Sequence, residues 1–506
     1  MEDVPAHLTI ATKRPVIYEY TREEEFIGAM SRHPMGVRVK IGARNDGTLT
    51  ALEMRVVSNT GAYGNHGSET LYHGCGDSVA VYRCPNKRVD GYAVYTNMPP
   101  SGAFRGYGSS QPIFAVESSM DEMARALHMD PTEFRLLNVV RPGDAIVSWS
   151  TAPEDGEFGS YGLDQCLSLV KSALERGNGI LPPEGDDWLT GTGIALSMID
   201  CAPPTQHFSE ATVELTADGK YQVAVGTPEF GNGTTTAHCQ IAASALGTTM
   251  SRIDIVQSDT DRTGYDTGAF AATGTSVAAK GVELAAAALR ARILAFAAEQ
   301  AGVAPDSCHL EPDAMVCGER RVDLTDLYAS GRRLGRELAA TRKTTNSPRS
   351  ISFNVQGFHV AVNRLTGRVA ILQSVHAADV GRVINPMQFQ GQTQGGVAQG
   401  LGWALYEKMV FDGDGRMINP TFRNYHIPNF ADVPHTEALV ADTYDAFGTN
   451  GAKSGTEGNF NPVAPALANA VADATGVRFH SLPLAPDRIY KAIGDKYAEA
   501  QGVAGA

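Results

Sequence analysis

Three stretches of the chain place apolar and β-branched residues on either side of a short polar turn containing glycine, which is the pattern of paired strands. Gly36–Ala43 and Leu49–Ser58 flank Asn45-Asp46-Gly47; Ala211–Leu215 and Tyr221–Val225 flank Ala217-Asp218-Gly219; Phe358–Val362 and Val369–Val375 flank Leu365-Thr366-Gly367. Each is predicted to form a β-hairpin. Between them the apolar spacing becomes helical. Within Ile113–Met129 the residues Phe114, Met120, Met123 and Leu127 fall on one face, and the run should stop at Asp130-Pro131. Ser276–Glu299 is a long Ala/Leu-rich segment of high helix propensity, and further helices are expected at Leu163–Glu175, Gly396–Met409 and Val463–Thr475. Hairpins interleaved with helices predict an α+β fold of mixed layers rather than a doubly wound parallel sheet.

Composition adds boundaries to this picture. A chain of 506 residues outgrows a single core, so two subdomains are expected, 1–150 and 151–506, dividing in the Pro/Gly-rich stretch Val140–Phe158. A second soft stretch, Gly177–Thr192, reads as a linker or a surface loop. A net charge of -14 and a pI near 5.4 disfavour nucleic acid or an anionic membrane as partner. No uninterrupted apolar run of about 18 residues occurs, and the first residues lack the apolar core of a signal peptide, so a cytoplasmic protein is expected unless a partner carries it out. Seven cysteines, odd in number, scattered and without a C-x-x-C pair, offer neither a zinc site nor an iron–sulfur cluster and point to a reducing compartment.

Candidate chemistry lies in glycine-rich loops with unusual side chains: Ala103–Gly108, Glu229–Gly233, Gly268–Gly274 and Gly391–Gly396. Glycine lets backbone approach a ligand, and a loop entering a helix presents N–H groups to anionic oxygens. Any one of them reads as a tight turn; their joint occurrence suggests a large polar cofactor. Three other motifs fail. Asp259-Thr-Asp261 begins like a calcium loop but has Phe270 where a bidentate glutamate is required. Gly396-x-x-x-Gly400-x-Gly402 lacks the dinucleotide-binding spacing and reads as helix packing. His238 and Cys239, adjacent on a helix, cannot face one another. The segment Lys453-Ser454-Gly455-Thr456-Glu457-Gly458-Asn459 sets a carboxylate on a flexible loop ahead of an apolar helix. Glu457 there fits both a partner for the helix dipole and a general base.

Taken in order, these loops resemble the molybdenum-binding subunit of the xanthine dehydrogenase/aldehyde oxidoreductase family. The likeness runs from Lys13-Arg14-Pro15-Val16 and Arg32-His33-Pro34 through the Ala103–Gly108 loop and Leu136-x-Asn138. It continues over Asp379-Val380-Gly381-x-x-Ile384-Asn385-Pro386 and the Gly391–Gly402 stretch to Asn469–Gly476. The resemblance implies that Glu457 is the base that takes a proton from a molybdenum-bound hydroxyl, while hydride passes from substrate to a sulfido ligand. Arg105 is implied to face a developing oxyanion, within a loop shared by Ala103 and Phe104 beside the metal's oxygen ligands. Phe230, Gly231, Asn232, Ala271, Ala272, Thr273 and Gln392 are implied to cradle the pterin and its dithiolene, through which molybdenum is held without a direct protein ligand. Tyr107, with Tyr72 and His73, is implied to meet the substrate.

Two departures stand out. Asn232 occupies a position where the family usually has glutamine, and His73 stands where purine-oxidising members carry arginine. The chain also begins after the family's N-terminal domain and its glutamine-bearing loop, so a split subunit is expected, the missing half lying on another polypeptide. The implied function is water-dependent oxidation of an N-heteroaromatic compound or aldehyde. The implied cofactor is molybdopterin cytosine dinucleotide, with [2Fe-2S] and FAD on partner subunits. A scaffold subunit that has lost the chemistry is disfavoured by the retained Glu457 and Arg105. A carbon-monoxide-oxidising member is disfavoured because its cysteine loop does not appear.

Overall fold

The computed structural model describes residues 2–144, 146, 158–201, 207–344 and 350–500, so most of the expected boundary at Val140–Phe158 lies outside the described residues. Its strands are Met35–Ala43 (β1), Leu49–Gly61 (β2), Lys87–Tyr95 (β3), Trp188–Asp200 (β4), Ser209–Leu215 (β5), Tyr221–Val225 (β6) and Ile253–Gln257 (β7). They continue with Cys308–Leu310 (β8), Ala314–Cys317 (β9), Arg320–Asp323 (β10), Ala339–Thr344 (β11), Ile351–Asn363 (β12), Val369–Asp379 (β13) and Thr436–Val440 (β14). Four sheets result, ordered β1-β2-β3, β11-β5-β6-β7, β10-β9-β8 and β14-β13-β12-β4. All three predicted hairpins form antiparallel pairs, and among the described strands β2–β3, β6–β7 and β13–β14 pair in parallel.

Sequence pattern explains which faces are covered. In β5 and β6 the buried Ala211, Val213, Leu215, Tyr221, Val223 and Val225 alternate with half-buried neighbours, polar except for Ala224, so one face packs against helices Thr234–Leu246 and Ala279–Ala301. β12 is buried along almost its whole length, because helices lie on both sides of its sheet. Helix Leu163–Arg176 covers one face through Leu167 and Val170, and Val463–Thr475 covers the other through Ala466, Leu467 and Ala470. One buried cluster draws residues from β2, helix Leu163–Arg176 and β12 together, so the core runs across the expected boundary near residue 150. The landmark Asn138 ties in the first hairpin: its Oδ1 accepts from Leu49 N–H at 3.0 Å and its Nδ2 donates to the Gly47 carbonyl at 2.9 Å. Asp130 ends the preceding helix region by capping the next one, accepting from Thr132 and Glu133 N–H, with Pro131 at the first helical position.

Two expectations are corrected. The Gly391–Gly396 segment is not a loop: it lies inside a helix spanning Pro386–Leu405, started by the Asn385 cap and Pro386 well before the predicted Gly396. Close neighbours require glycine at some of its positions, since a Cβ at Gly396 would meet Asn459 and one at Gly400 would enter Val463, whereas Gly391 and Gly395 have open space. Cys308 and Cys317 are not scattered in space, since they stand opposite one another on β8 and β9 and are joined in a disulfide, Cα atoms 4.1 Å apart. Among the described residues no helix is long and apolar enough to cross a membrane.

The helix after the Glu457 loop seats on β4 through Gly193, where an added Cβ would collide with the backbone of Ala466 and Ala470. Backbone cannot swing aside as a side chain can. Gly193→Val is therefore expected to destabilise the chain by about 1–3 kcal/mol or more, read as a lowered chemical-denaturation midpoint; an unchanged midpoint would contradict the packing.

Candidate cofactor cleft and active site

A cleft of about 880 Å³ opens where residues 103–107, 230–237, 269–275, 380–392 and 452–459 converge. Of the predicted site residues, Ala103, Phe104, Arg105, Tyr107, Phe230, Gly231, Asn232, Ala271, Ala272, Gln392 and Glu457 all line it. Three do not. Tyr72 is half exposed outside the lining, and His73 sits behind Tyr107 with the two rings edge-on at 4.9 Å. Thr273 turns its hydroxyl inward, donating to the carbonyls of Gly268 and Phe270, and so braces its loop instead of facing the cleft.

Arg105 is the clamp of this site. Its Nε donates to the Thr456 carbonyl at 2.6 Å, and Nη2 donates to the Gln392 carbonyl and the Asn459 Oδ1, both at 3.0 Å. Burial pulls its pKa down to about 10, with Glu457 opposing the shift. Those bonds tie the guanidinium, which also lines the cleft, to the Glu457 loop and the Pro386–Leu405 helix. Arg32 supports it from behind, donating to the Arg105 carbonyl at 2.8 Å while its own guanidinium lies 4.2 Å from the ring centroids of both Phe104 and Phe460.

Glu457 faces the cleft from the loop thus held. Its Oε2 is buried without a hydrogen-bond partner among the described residues. Burial raises its pKa, and His73, then Arg105, resist that rise, as does a hydrogen bond from the Ala272 N–H; Asp77 adds to it. Ala271 and Ala272 reach this position by taking up left-handed backbone, with φ of 56° and 53°, a conformation alanine adopts only when its surroundings impose it. The other glycine-rich loop is closed by its own acid. Glu229 accepts from Gly231, Gly233 and Thr235 N–H at 2.7, 3.1 and 3.0 Å, so those donors are already engaged.

Sequence reasoning missed several contributors. His66, whose Nδ1 lies 2.9 Å from the Tyr107 hydroxyl, carries no local signal. Neither does Glu229, whose capping role depends on how the loop folds back. Asn385 and Gln388, which also line the cleft, sit in the quoted Asp379–Pro386 landmark or just past it.

The donor set fits a pterin. Amide side chains of Asn232, Asn385, Gln388 and Gln392 share the walls with Phe104, Phe230 and Phe389, as a flat heterocycle with hydrogen-bonding edges requires, and Glu457, one of whose oxygens is buried without a partner among the described residues, lines the same cleft. A protein that binds a large, polar, nitrogen-rich cofactor is what this cleft defines. Residues 1–139 and 176–434 each match the family described as molybdopterin cofactor-binding domain, and the chain belongs to that family, the molybdenum-binding subunits of the xanthine dehydrogenase/aldehyde oxidoreductase type.

The chain is 32% identical over 495 residues to the putative xanthine dehydrogenase molybdenum-binding subunit of Escherichia coli (strain K12), covering 94% of this chain and 64% of that one. To the probable hypoxanthine oxidase of the same strain it is 30% identical over 503 residues, covering 97% of this chain and 52% of that protein. The solved quinoline 2-oxidoreductase from Pseudomonas putida 86 superposes with a TM-score of 0.84 at 25% identity, over 97% of this chain and 66% of that one. The chain thus spans about half to two thirds of the length of these relatives.

Because burial raises the Glu457 pKa, the folded chain keeps that proton to higher pH than the unfolded chain does. Its contribution to stability is fully present below the unfolded carboxyl value of about 4.3 and is lost as pH rises through the folded value. In the cofactor-free chain, Glu457→Gln should melt with the parent at about pH 4 and above it at about pH 8. A variant that melts lower than the parent at the higher pH would contradict the burial argument.

Proposed function

We propose that this chain supplies the base-bearing wall of a molybdenum hydroxylase that inserts water-derived oxygen into an N-heteroaromatic compound or aldehyde. The observation that carries it is Glu457, a cleft carboxylate with one oxygen sealed from solvent and its proton affinity raised by burial, as a general base near neutral pH needs. When bound, molybdopterin supplies the two-electron oxidant and an activated water oxygen. Glu457 then receives a proton at its carboxylate, Arg105 and Asn459 hold its loop, and Tyr107 flanks the substrate, with His73 behind it favouring the ionised form of Glu457. Ala103, Phe104, Phe230, Gly231, Asn232, Ala271, Ala272 and Gln392 hold the cofactor, in its cytosine dinucleotide form, and Thr273 acts by bracing its loop.

The division into cofactor-binding subdomains 1–150 and 151–506 is supported by two separate family matches, 1–139 and 176–434, while one buried cluster packs across the boundary between them. Electrons leave through [2Fe-2S] and FAD subunits in the cytoplasm. A further polypeptide surface is proposed to pack against this chain. Supporting that partner, helices Asp3–Thr12 and Arg22–Gly28 bury none of their residues, and Ile17 between them is 94% exposed. Beside them a second groove of about 1170 Å³, walled by Met35, Val37, Trp403 and Phe479, shares Phe104 and Gln399 with the cofactor cleft.

In the purified complex, Glu457→Gln is expected to leave molybdenum and pterin content at the parent level while lowering kcat by about 10²–10⁴-fold. Retained turnover would end the role of Glu457 as base, and negligible molybdenum in the parent complex would sink the whole reading.

A further inference from the structure

Four residues before Glu457, Lys453 carries a side chain fully sealed from solvent. Its Nζ donates to Asp379 Oδ2 at 2.8 Å and to the Ser160 carbonyl at 3.0 Å, and it lies 3.9 Å from Asp445 Oδ2; neither carboxylate is exposed at all. Each acid is fixed in turn. Asp379 Oδ1, at the end of β13, accepts from the Thr443 hydroxyl at 2.6 Å, and Asp445 Oδ1 accepts from Phe447 and Gly448 N–H at 2.9 and 2.8 Å.

Backbone pairing runs alongside this cluster. Lys453 N–H donates to the Val380 carbonyl at 2.8 Å, Arg382 N–H to the Gly451 carbonyl at 2.8 Å, and Gly381 pairs with Ala452. Val380, Arg382, Val383 and Ile384 form one wall of the cofactor cleft, while Lys453 to Glu457 belong to another. The buried cation therefore joins two walls at their common root.

We propose that Lys453 is a positioning residue, whose buried bonds to Asp379 and Ser160 fix the N-terminal root of the base loop and so aim Glu457 into the cleft. The inference rests on the reading of Glu457 as the base. Arg105 and Asn459 hold the far end of the loop, and Gly455 between the two anchors would let the carboxylate swing if either released. A buried ion pair adds little to stability beyond what apolar residues of the same volume would provide, but it fixes direction, because each N–H must meet its own oxygen.

Lys453→Met alone strands a buried carboxylate and risks misfolding, so the informative variant is Lys453→Met/Asp379→Asn, which removes one charge of each sign. Asp445 keeps its backbone donors there. Compared with the parent in the purified complex, this pair should lose about 100-fold in kcat with KM within about 3-fold, as a misaligned catalytic group does. In the cofactor-free chain, its amide hydrogen exchange over residues 453–459 should rise by at least about 10-fold while the melting temperature stays near the parental value. A folded pair with parental exchange and parental kcat would overturn the proposal, leaving Lys453 as structural charge balance only. The two readings fail separately: if Glu457→Gln keeps its turnover the base assignment falls, while the exchange of residues 453–459 still reports whether Lys453 holds the loop.

Discussion

One guanidinium joins parts of the chain that lie hundreds of residues apart. Arg105 bonds to Thr456 and Asn459, 351 and 354 positions further on, and to Gln392, 287 positions further on. Its charge is spent on carbonyl and amide oxygens, so it acts as a cross-brace between the first part of the chain, the Pro386–Leu405 helix and the Glu457 loop. Arg32 holds the brace from the far side through the Arg105 carbonyl, stacked between aromatic rings. The cleft exists because these segments are tied together.

Within that frame the electrostatics pull in opposite directions. Burial favours a protonated Glu457, whereas His73, Arg105 and the Ala272 N–H favour the carboxylate. A base needs both influences: enough proton affinity to accept a proton and enough stabilisation of the charged form to be ready for one. At His376 the influences agree instead: burial and then Arg105 both push its pKa down, to about 3, and it serves as a neutral link between Gln356 and Asn354 inside the sheet.

The hairpins and most helices were legible because strand and helix periods are local properties, repeated within ten or fifteen residues. Val463–Thr475 was read to the residue for that reason. The Pro386–Leu405 helix was half missed: Gly391, Gly395 and Gly396 mimic a loop, and only the tertiary contacts with Asn459 and Val463 show why glycine stands at Gly396 and Gly400 inside a helix. The disulfide was invisible for a similar reason, since the pairing of β8 with β9, not the spacing of Cys308 and Cys317 alone, brings the sulfurs together.

Taken by itself the sequence determined the α+β class, the hairpin positions and, through the ordered motifs, the family and the carboxylate proposed as the base. Only the tertiary structure decided what each side chain does there. It made Arg105 a brace between three segments, turned the Thr273 hydroxyl into its own loop, set Glu229 over the N–H groups of its own loop and brought Lys453 to Asp379. Side-chain direction and burial depend on contacts between segments far apart in the chain, and no local pattern records which distant neighbour a donor will meet.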